Sequence, residues 1–138
     1  MVTARKREES LTDAPVAITA LSGAQLSARG VTSMSDLQQF TPGFRYQDAG
    51  SGGATRGFNT FAARGIFPGS DSPDRQVVSV FIDGVPVGGG GAVPGLSDVG
   101  QVEVVNGPQS AYFGRSTFGG AVNFITRSTG FDFKGGVQ

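Results

Sequence analysis

Glycine sets the limits on this chain. Of its 138 residues, 23 are glycine, more than twice the usual share of about 7%. They gather with serine, proline and aspartate at 48–60, 67–75 and 88–93, where neither helical nor strand periodicity can be traced. Regular structure has to stop before each stretch and restart after it. The chain is therefore expected to hold short strands and short helices joined by three irregular loops.

What lies between the loops is apolar enough for one modest core, since Val, Leu, Ile and Phe make up about a quarter of the residues, in a length that suits a single domain. Composition also removes several chemistries. With no cysteine and no histidine there is no Cys/His zinc site, thiol nucleophile, disulfide or imidazole base. Eleven basic and 11 acidic side chains cancel, so the basic excess of a nucleic-acid binder is missing. No run approaches the ~18 apolar residues of a membrane helix. Residues 1–10, MVTARKREES, put charge where a signal peptide needs an apolar stretch, so no targeting segment is expected there.

Residues 1–13 read as a polar arm, with Arg5, Lys6 and Arg7 followed by Glu8 and Glu9. Residues 14–21 place Val16, Ile18 and Ala20 on one face and predict a strand. Ser22 caps a short helix closed by Gly30. Ser33 caps a second, with Met34, Leu37 and Phe40 at helical spacing, and Pro42-Gly43 stops it. Residues 44–47 are extended, and 60–66 form a strand. The strongest strand signal is QVVSVFIDGVPV at 76–87: both alternating faces are apolar, which suits a central strand, and Asp83-Gly84 is a hairpin turn. Residues 101–107 give another strand, 108–114 one or two helical turns with Pro108 at N1, and 121–127 a last strand. Strands interleaved with short helices predict an α+β fold rather than a doubly wound one.

Enzyme chemistry finds no footing. Neither nucleotide-binding glycine motif is present, and neither lysine, Lys6 or Lys134, follows a glycine-rich turn into a helix. G-x-S-x-G is absent. Asp71 and Asp74 sit in a Pro/Ser loop where solvated acids are expected, and Asp83 is a turn former. Charges inside strand patterns are more informative. Arg64 lies in FAARGI, Glu103 between Val102 and Val104, and Arg115 after Gly114. Each either faces water on the polar side of a half-buried sheet, joins an ion-pair cluster, or faces a partner surface.

Taken in order, DAPVAITAL at 13–21, QQFTPGF at 38–44, ARGI at 63–66, VFIDGVPV at 80–87 and VEVVNGPQSAYFGRSTFGGAVNFITR at 102–127 resemble the plug domain of TonB-dependent outer-membrane receptors of Gram-negative bacteria. The resemblance implies an α+β globule, a small mixed β-sheet with short helices and long glycine-rich loops, seated inside a following barrel of about 22 strands. Residues 1–13 would be the arm, 14–130 the plug and 131–138 the start of the first barrel strand. It further implies a gate and ligand-contact module of an active transporter. A siderophore or other small nutrient would meet the loops through Arg56, Phe58, Asn59, Phe67 and Asp71. Arg64, Glu103 and Arg115 match positions of the polar lock between plug and barrel. Val2, Thr3 and Ala4 would be what is present of the TonB box, the segment that couples to TonB. Where the family usually carries a basic residue before Gly-Pro, this chain has Asn106. The implied partners are TonB, the chain's own C-terminal barrel and a small-molecule ligand, with no nucleic acid, metal or cofactor. A stand-alone protein-interaction or saccharide-binding domain with the same fold is the rival reading, separated by whether the reading frame continues into alternating strands.

Overall fold

In the computed structural model the described residues are 17–48, 59–67, 76–87, 94–108 and 117–128. Their order is β1 (Ala17–Ser22), α1 (Gly23–Ala28), α2 (Met34–Leu37) with a 3-10 turn at Gln38–Phe40, β2 (Phe44–Asp48), β3 (Asn59–Ala63), β4 (Val78–Ile82), β5 (Val85–Val87), a 3-10 turn at Leu96–Asp98, β6 (Val99–Asn106) and β7 (Gly120–Thr126). The helices begin where their caps dictate. The Ser22 hydroxyl accepts the Gln25 N–H at 3.3 Å while the Gln25 side chain accepts the Ser22 N–H at 2.9 Å, a reciprocal box that satisfies two orphan donors. α1 closes at Gly30, where Val31 N–H reaches the Leu26 carbonyl at 2.9 Å and both side chains are buried, as a Schellman ending requires. Ser33 and Asp36 repeat the box on α2. There the Ser33 hydroxyl, with the Thr32 and Ser33 amides, holds the Asp36 carboxyl below its ordinary value.

The strands assemble into a five-stranded sheet of order β1-β6-β7-β4-β5 and a separate β2-β3 ribbon. Pairing is antiparallel except between β4 and β7, so the sheet is mixed, as the resemblance implies. β4 pairs on both sides, yet it lies next to the edge strand β5 rather than at the centre, which β7 takes. One face of the sheet meets α1, α2 and the ribbon. Val80, Val102, Val104, Val122 and Phe124 point from the sheet into a cluster with Leu26, Leu37 and Phe61. Phe61 packs its ring 5.7 Å from Phe44 and 5.4 Å from Tyr46. The other face carries a smaller cluster of Phe81, Val105 and Ala121 with Ile18 against it.

Several expected boundaries move; the last strand runs Gly120–Thr126 rather than 121–127, and the second helix tightens to a 3-10 turn after Leu37. The first strand ends at Ser22, one residue later than expected, with 14–16 outside the described residues. The strand expected at 60–66 stops at Ala63, because Arg64 and Gly65 both take positive φ, 56° and 76°, and turn the chain so that Ile66 bridges back to Ala63. β6 starts at Val99 rather than 101, directly after the 3-10 turn at Leu96–Asp98. The helical turn expected at 108–114 lies, after Pro108, outside the described residues, as do the arm 1–13 and residues 131–138.

Candidate functional site

A polar strip crosses the second face of the sheet beside its small apolar cluster. Glu103 on β6 stands opposite Ala20 of β1 and Asn123 of β7 and is wholly buried. Its carboxylate accepts the Gln101 side-chain amide at 2.8 Å and the Asn123 amide at 3.5 Å. Asn123 Oδ1 in turn accepts the Gly84 N–H at 3.2 Å, so hydrogen-bonded polar groups run from the middle of β6 to the tip of the β4–β5 hairpin. Burying a carboxylate is costly unless it is hydrogen-bonded, and the Gln101 and Asn123 amides give each of its oxygens a donor.

At the hairpin tip, Asp83 and Gly84 take φ of 50° and 79°, the signs of the two-residue turn that matches strand twist and favours Asp-Gly. Asp83 does more than turn. Its carboxylate accepts the Thr126 N–H at 2.9 Å and the Thr126 hydroxyl at 2.8 Å, and its own N–H donates to the Phe124 carbonyl at 2.8 Å. The hairpin is thereby clamped to Thr126, the last residue of β7. Replacing Asp83 by alanine removes both carboxylate bonds and leaves a residue that dislikes the left-handed conformation. We expect a loss of about 1–2 kcal/mol, read as a lowered urea midpoint, and a smaller loss for Asp83→Asn, which tolerates positive φ and keeps one acceptor.

The opposite end of the sheet is organised by glycine. Gly107 N–H donates to Gly119 O at 3.0 Å and Gly119 N–H to Val77 O at 2.9 Å. The Arg64 N–H donates to Gly43 O at 2.7 Å, and its exposed guanidinium lies 3.6 Å from where a side chain on Gly107 would begin. Arg64 and Glu103 thus sit at different levels along β6, and Arg115 lies outside the described residues. Phe67 is 59% exposed, and Asn59 opens β3 opposite Asp48. Arg56, Phe58 and Asp71, together with Val2, Thr3 and Ala4, also lie outside the described residues. An open hollow of about 360 Å³ between the 3-10 turn and β2, lined by Gln38, Thr41, Pro42 and Arg45 among others, contains none of the residues expected to meet a ligand. Among the described residues there is no cluster of carboxylates that could hold a metal, and no helix is long and apolar enough to cross a membrane.

Asn123 and Gln101 were not singled out by sequence reasoning. The signal was present: a polar residue between Val122 and Phe124, in register with another between Val102 and Val104, marks a shared polar row only once β6 and β7 are known to pair.

Comparison with known proteins gives this geometry a family. The chain is 32% identical over 128 residues to the pesticin receptor of Yersinia pestis, covering 92% of this chain and 18% of that protein. It is 28% identical over 131 residues to the ferrioxamine B receptor of Salmonella typhimurium, covering 91% of this chain and 17% of that receptor. Among solved structures, the ferric yersiniabactin uptake receptor of Yersinia pestis superposes with a TM-score of 0.70 at 32% identity, covering 82% of this chain and 17% of that one. The closed form of the ferric-catecholate import receptor Fiu of E. coli superposes with a TM-score of 0.68 at 24% identity, covering 96% and 17%, and speaks to the fold alone. The chain spans under a fifth of the length of these relatives. The family model for the TonB-dependent receptor plug domain matches residues 10–121, and the chain belongs to that family.

Proposed function

We propose that this chain is the plug of an outer-membrane active transporter for a ferric siderophore, closing the lumen of its own barrel until tension from TonB opens a path. The observation that carries the reading is the 32% identity to a receptor that takes up ferric yersiniabactin, supported by a relative that is a ferrioxamine B receptor. The fold suits the task. The loops at 67–75 and 88–93 are rooted at one end of the sheet, on the start of β4 and the end of β5, and the loop at 48–60 is rooted on the β2-β3 ribbon. The five-stranded sheet therefore holds roots of two of the candidate ligand loops and the ribbon packed against it holds the roots of the third. Arg56, Phe58 and Asn59 on the first and Phe67 and Asp71 on the second would supply charge, rings and amides. Gly88 to Gly91 supply only backbone, and the barrel supplies the walls of the concavity a ligand needs. Val2, Thr3 and Ala4 would pair with TonB by strand addition, whose main-chain hydrogen bonds can bear a pull. Arg64 and Arg115 would lock the plug in its seat, while Glu103, buried among Gln101 and Asn123, would stiffen the sheet behind them. None of these roles is catalytic.

The test is made on the receptor that contains this plug. Arg56, Phe58 and Asn59 changed together to alanine should weaken binding of its ferric siderophore roughly tenfold or more, as expected for loss of a charge-assisted hydrogen bond and a ring contact, whereas Gly89→Ala and Gly90→Ala should leave it nearly unchanged. Affinity unmoved by the triple change removes the first loop from the site. Failure of the receptor to take up any ferric siderophore overturns the substrate class.

A further inference from the structure

The strand that the N-terminal arm enters is unequally secured at its two ends. β1 lies at an edge of the five-stranded sheet and pairs with β6 alone, through six residue pairs from Ala17–Asn106 to Ser22–Gln101. Its burial rises along its length: Ala17 is exposed, residues 18–20 are half-buried and Leu21 is buried. The Ser22 end is fastened further by the capping box with Gln25 and by α1, which sits so close on β6 that a side chain on Gly23 would begin 2.8 Å from the Val99 carbonyl oxygen. Among the described residues the Ala17 end has no such fastening, and it carries a defect. Of the described residues, two have a buried side-chain oxygen without a hydrogen-bond partner, Asn106 and Gln76. Both lie at this end: Ala17, Asn106, Gly120 and Val78 form one row across the sheet, and Gln76 stands two residues before Val78. By strand alternation Ala17 and Asn106 share the face of Leu21 and Val104, so Ala17 is the residue that flanks the Asn106 side chain on the β1 side.

We propose that β1 is a strand built to peel in one direction: it leaves β6 from Ala17 toward Leu21, and the unpaired oxygen of Asn106 lowers the cost of the first step. In the closed sheet that oxygen is shut away from water. When Ala17 lifts, the flank of Asn106 opens and water supplies the missing donor. Opening at this end returns a penalty that opening at the Ser22 end does not. The direction matters because of where the load falls. β1 and β7 run parallel, each antiparallel to β6, so the arm enters at the end from which the loops at 67–75 and 88–93 leave. The chain departs from Thr126 at the other end, about 20 Å away along the strands. The inference rests on the plug reading, in which the loops face the ligand and TonB pulls from the opposite side. A pull toward the Thr126 end doubles the arm back along β1 and breaks the ladder one pair at a time, whereas a pull the other way loads all six pairs in shear at once. Rupture therefore begins in the row beside the candidate ligand loops and travels away from them, while the Asp83–Thr126 clamp keeps the hairpin on β7.

The test follows hydrogen exchange amide by amide across the β1–β6 ladder in the receptor that contains this plug, without ligand or TonB. Ladder amides nearest Ala17 should exchange roughly tenfold or more faster than those nearest Leu21, as local opening from one end requires. Asn106→Leu removes the unpaired oxygen and should slow exchange at the Ala17 end roughly fivefold or more, whereas Asn106→Asp buries a second unpaired acceptor and should speed it by a similar factor. Opposite signs from two changes at one position cannot come from general damage to the fold, and amides of the β4–β7 ladder serve as the internal reference. Even exchange along β1, or both variants moving it the same way, overturns the proposal. A staple tests the coupling to transport. In Ala17→Cys with Asn106→Cys, cross-strand partners within disulfide reach, ferric siderophore uptake should stop when the bond forms and return on reduction. Uptake that continues with the staple closed overturns the proposal as well. A receptor that takes up no ferric siderophore with the staple open fails the substrate class of the plug reading instead, and the exchange profile, which needs neither ligand nor TonB, still decides the peeling.

Discussion

Gly120→Ala is expected to leave the chain largely unfolded. Gly120 opens β7, where it pairs with Asn106 on one side and Val78 on the other, at φ 150°, and a Cβ built on it falls inside contact distance of the Val105 carbonyl oxygen. That oxygen belongs to the backbone of the neighbouring strand, so it cannot swing aside as a side chain would. Relief requires β7 to move away from β6 at the point where the sheet's central ladder begins, and both the antiparallel and the parallel pairings of β7 would be disturbed. A steric conflict with backbone in the centre of a sheet belongs to the largest class of single-residue effects, above about 4 kcal/mol, against a whole stability of about 5–15 kcal/mol for an ordinary domain. Far-ultraviolet circular dichroism should show loss of the cooperative melt. Gly100→Ala is the matched control: its nearest neighbour to a new Cβ is Thr126 O at 3.4 Å and its φ is ordinary, so it should change stability by less than about 1 kcal/mol.

Glu103→Ala should cost about 3 kcal/mol. The side chain is 0% exposed, and its loss leaves the donors of Gln101 and Asn123 facing a cavity, so the penalties for unpaired buried donors and for lost packing combine. An exposed ion pair is worth only ~0–1 kcal/mol, which makes the size of the loss a direct measure of the role. Because Asn123 also holds Gly84 N–H, the double variant Glu103→Ala with Asn123→Ala should cost less than the sum of its parts, the coupling expected within one network. Glu103→Gln keeps the shape and one acceptor and should fall between. Urea midpoints unchanged within error for Glu103→Ala would place this residue among solvated surface charges.

Much of the local structure could be read from the chain because it is decided locally. Ser22 with Gln25, and Ser33 before Met34, Leu37 and Phe40, mark helix starts through hydrogen bonds made within four residues. Asp83-Gly84 marks a hairpin because few dipeptides accept two positive φ values in succession. The ordered motifs around Arg64, Asp83 and Glu103 also carry the family. The strand expected at 60–66 runs past its true end because Phe61 and Ile66 bracket the segment with strand-favouring residues, and only Arg64 N–H bonding to Gly43 O, a contact made across 21 positions of sequence, turns the chain.

The amino-acid sequence by itself determined where helices and turns begin, that no imidazole or thiol chemistry is available, and that the architecture is α+β. Only the tertiary structure decided that β1 pairs with β6, that β7 and not β4 takes the centre, and that Glu103 is buried beside Asn123 instead of facing water. The reason is physical. An alternating strand reports that it has two faces but not what will cover them, and β1 lies some 80 residues before β6 in the chain, so their pairing depends on long-range packing rather than on local propensity. The same holds for Gln76 and Asn106, whose unfilled acceptors become visible only when the ends of β4, β6 and β7 are drawn to one edge.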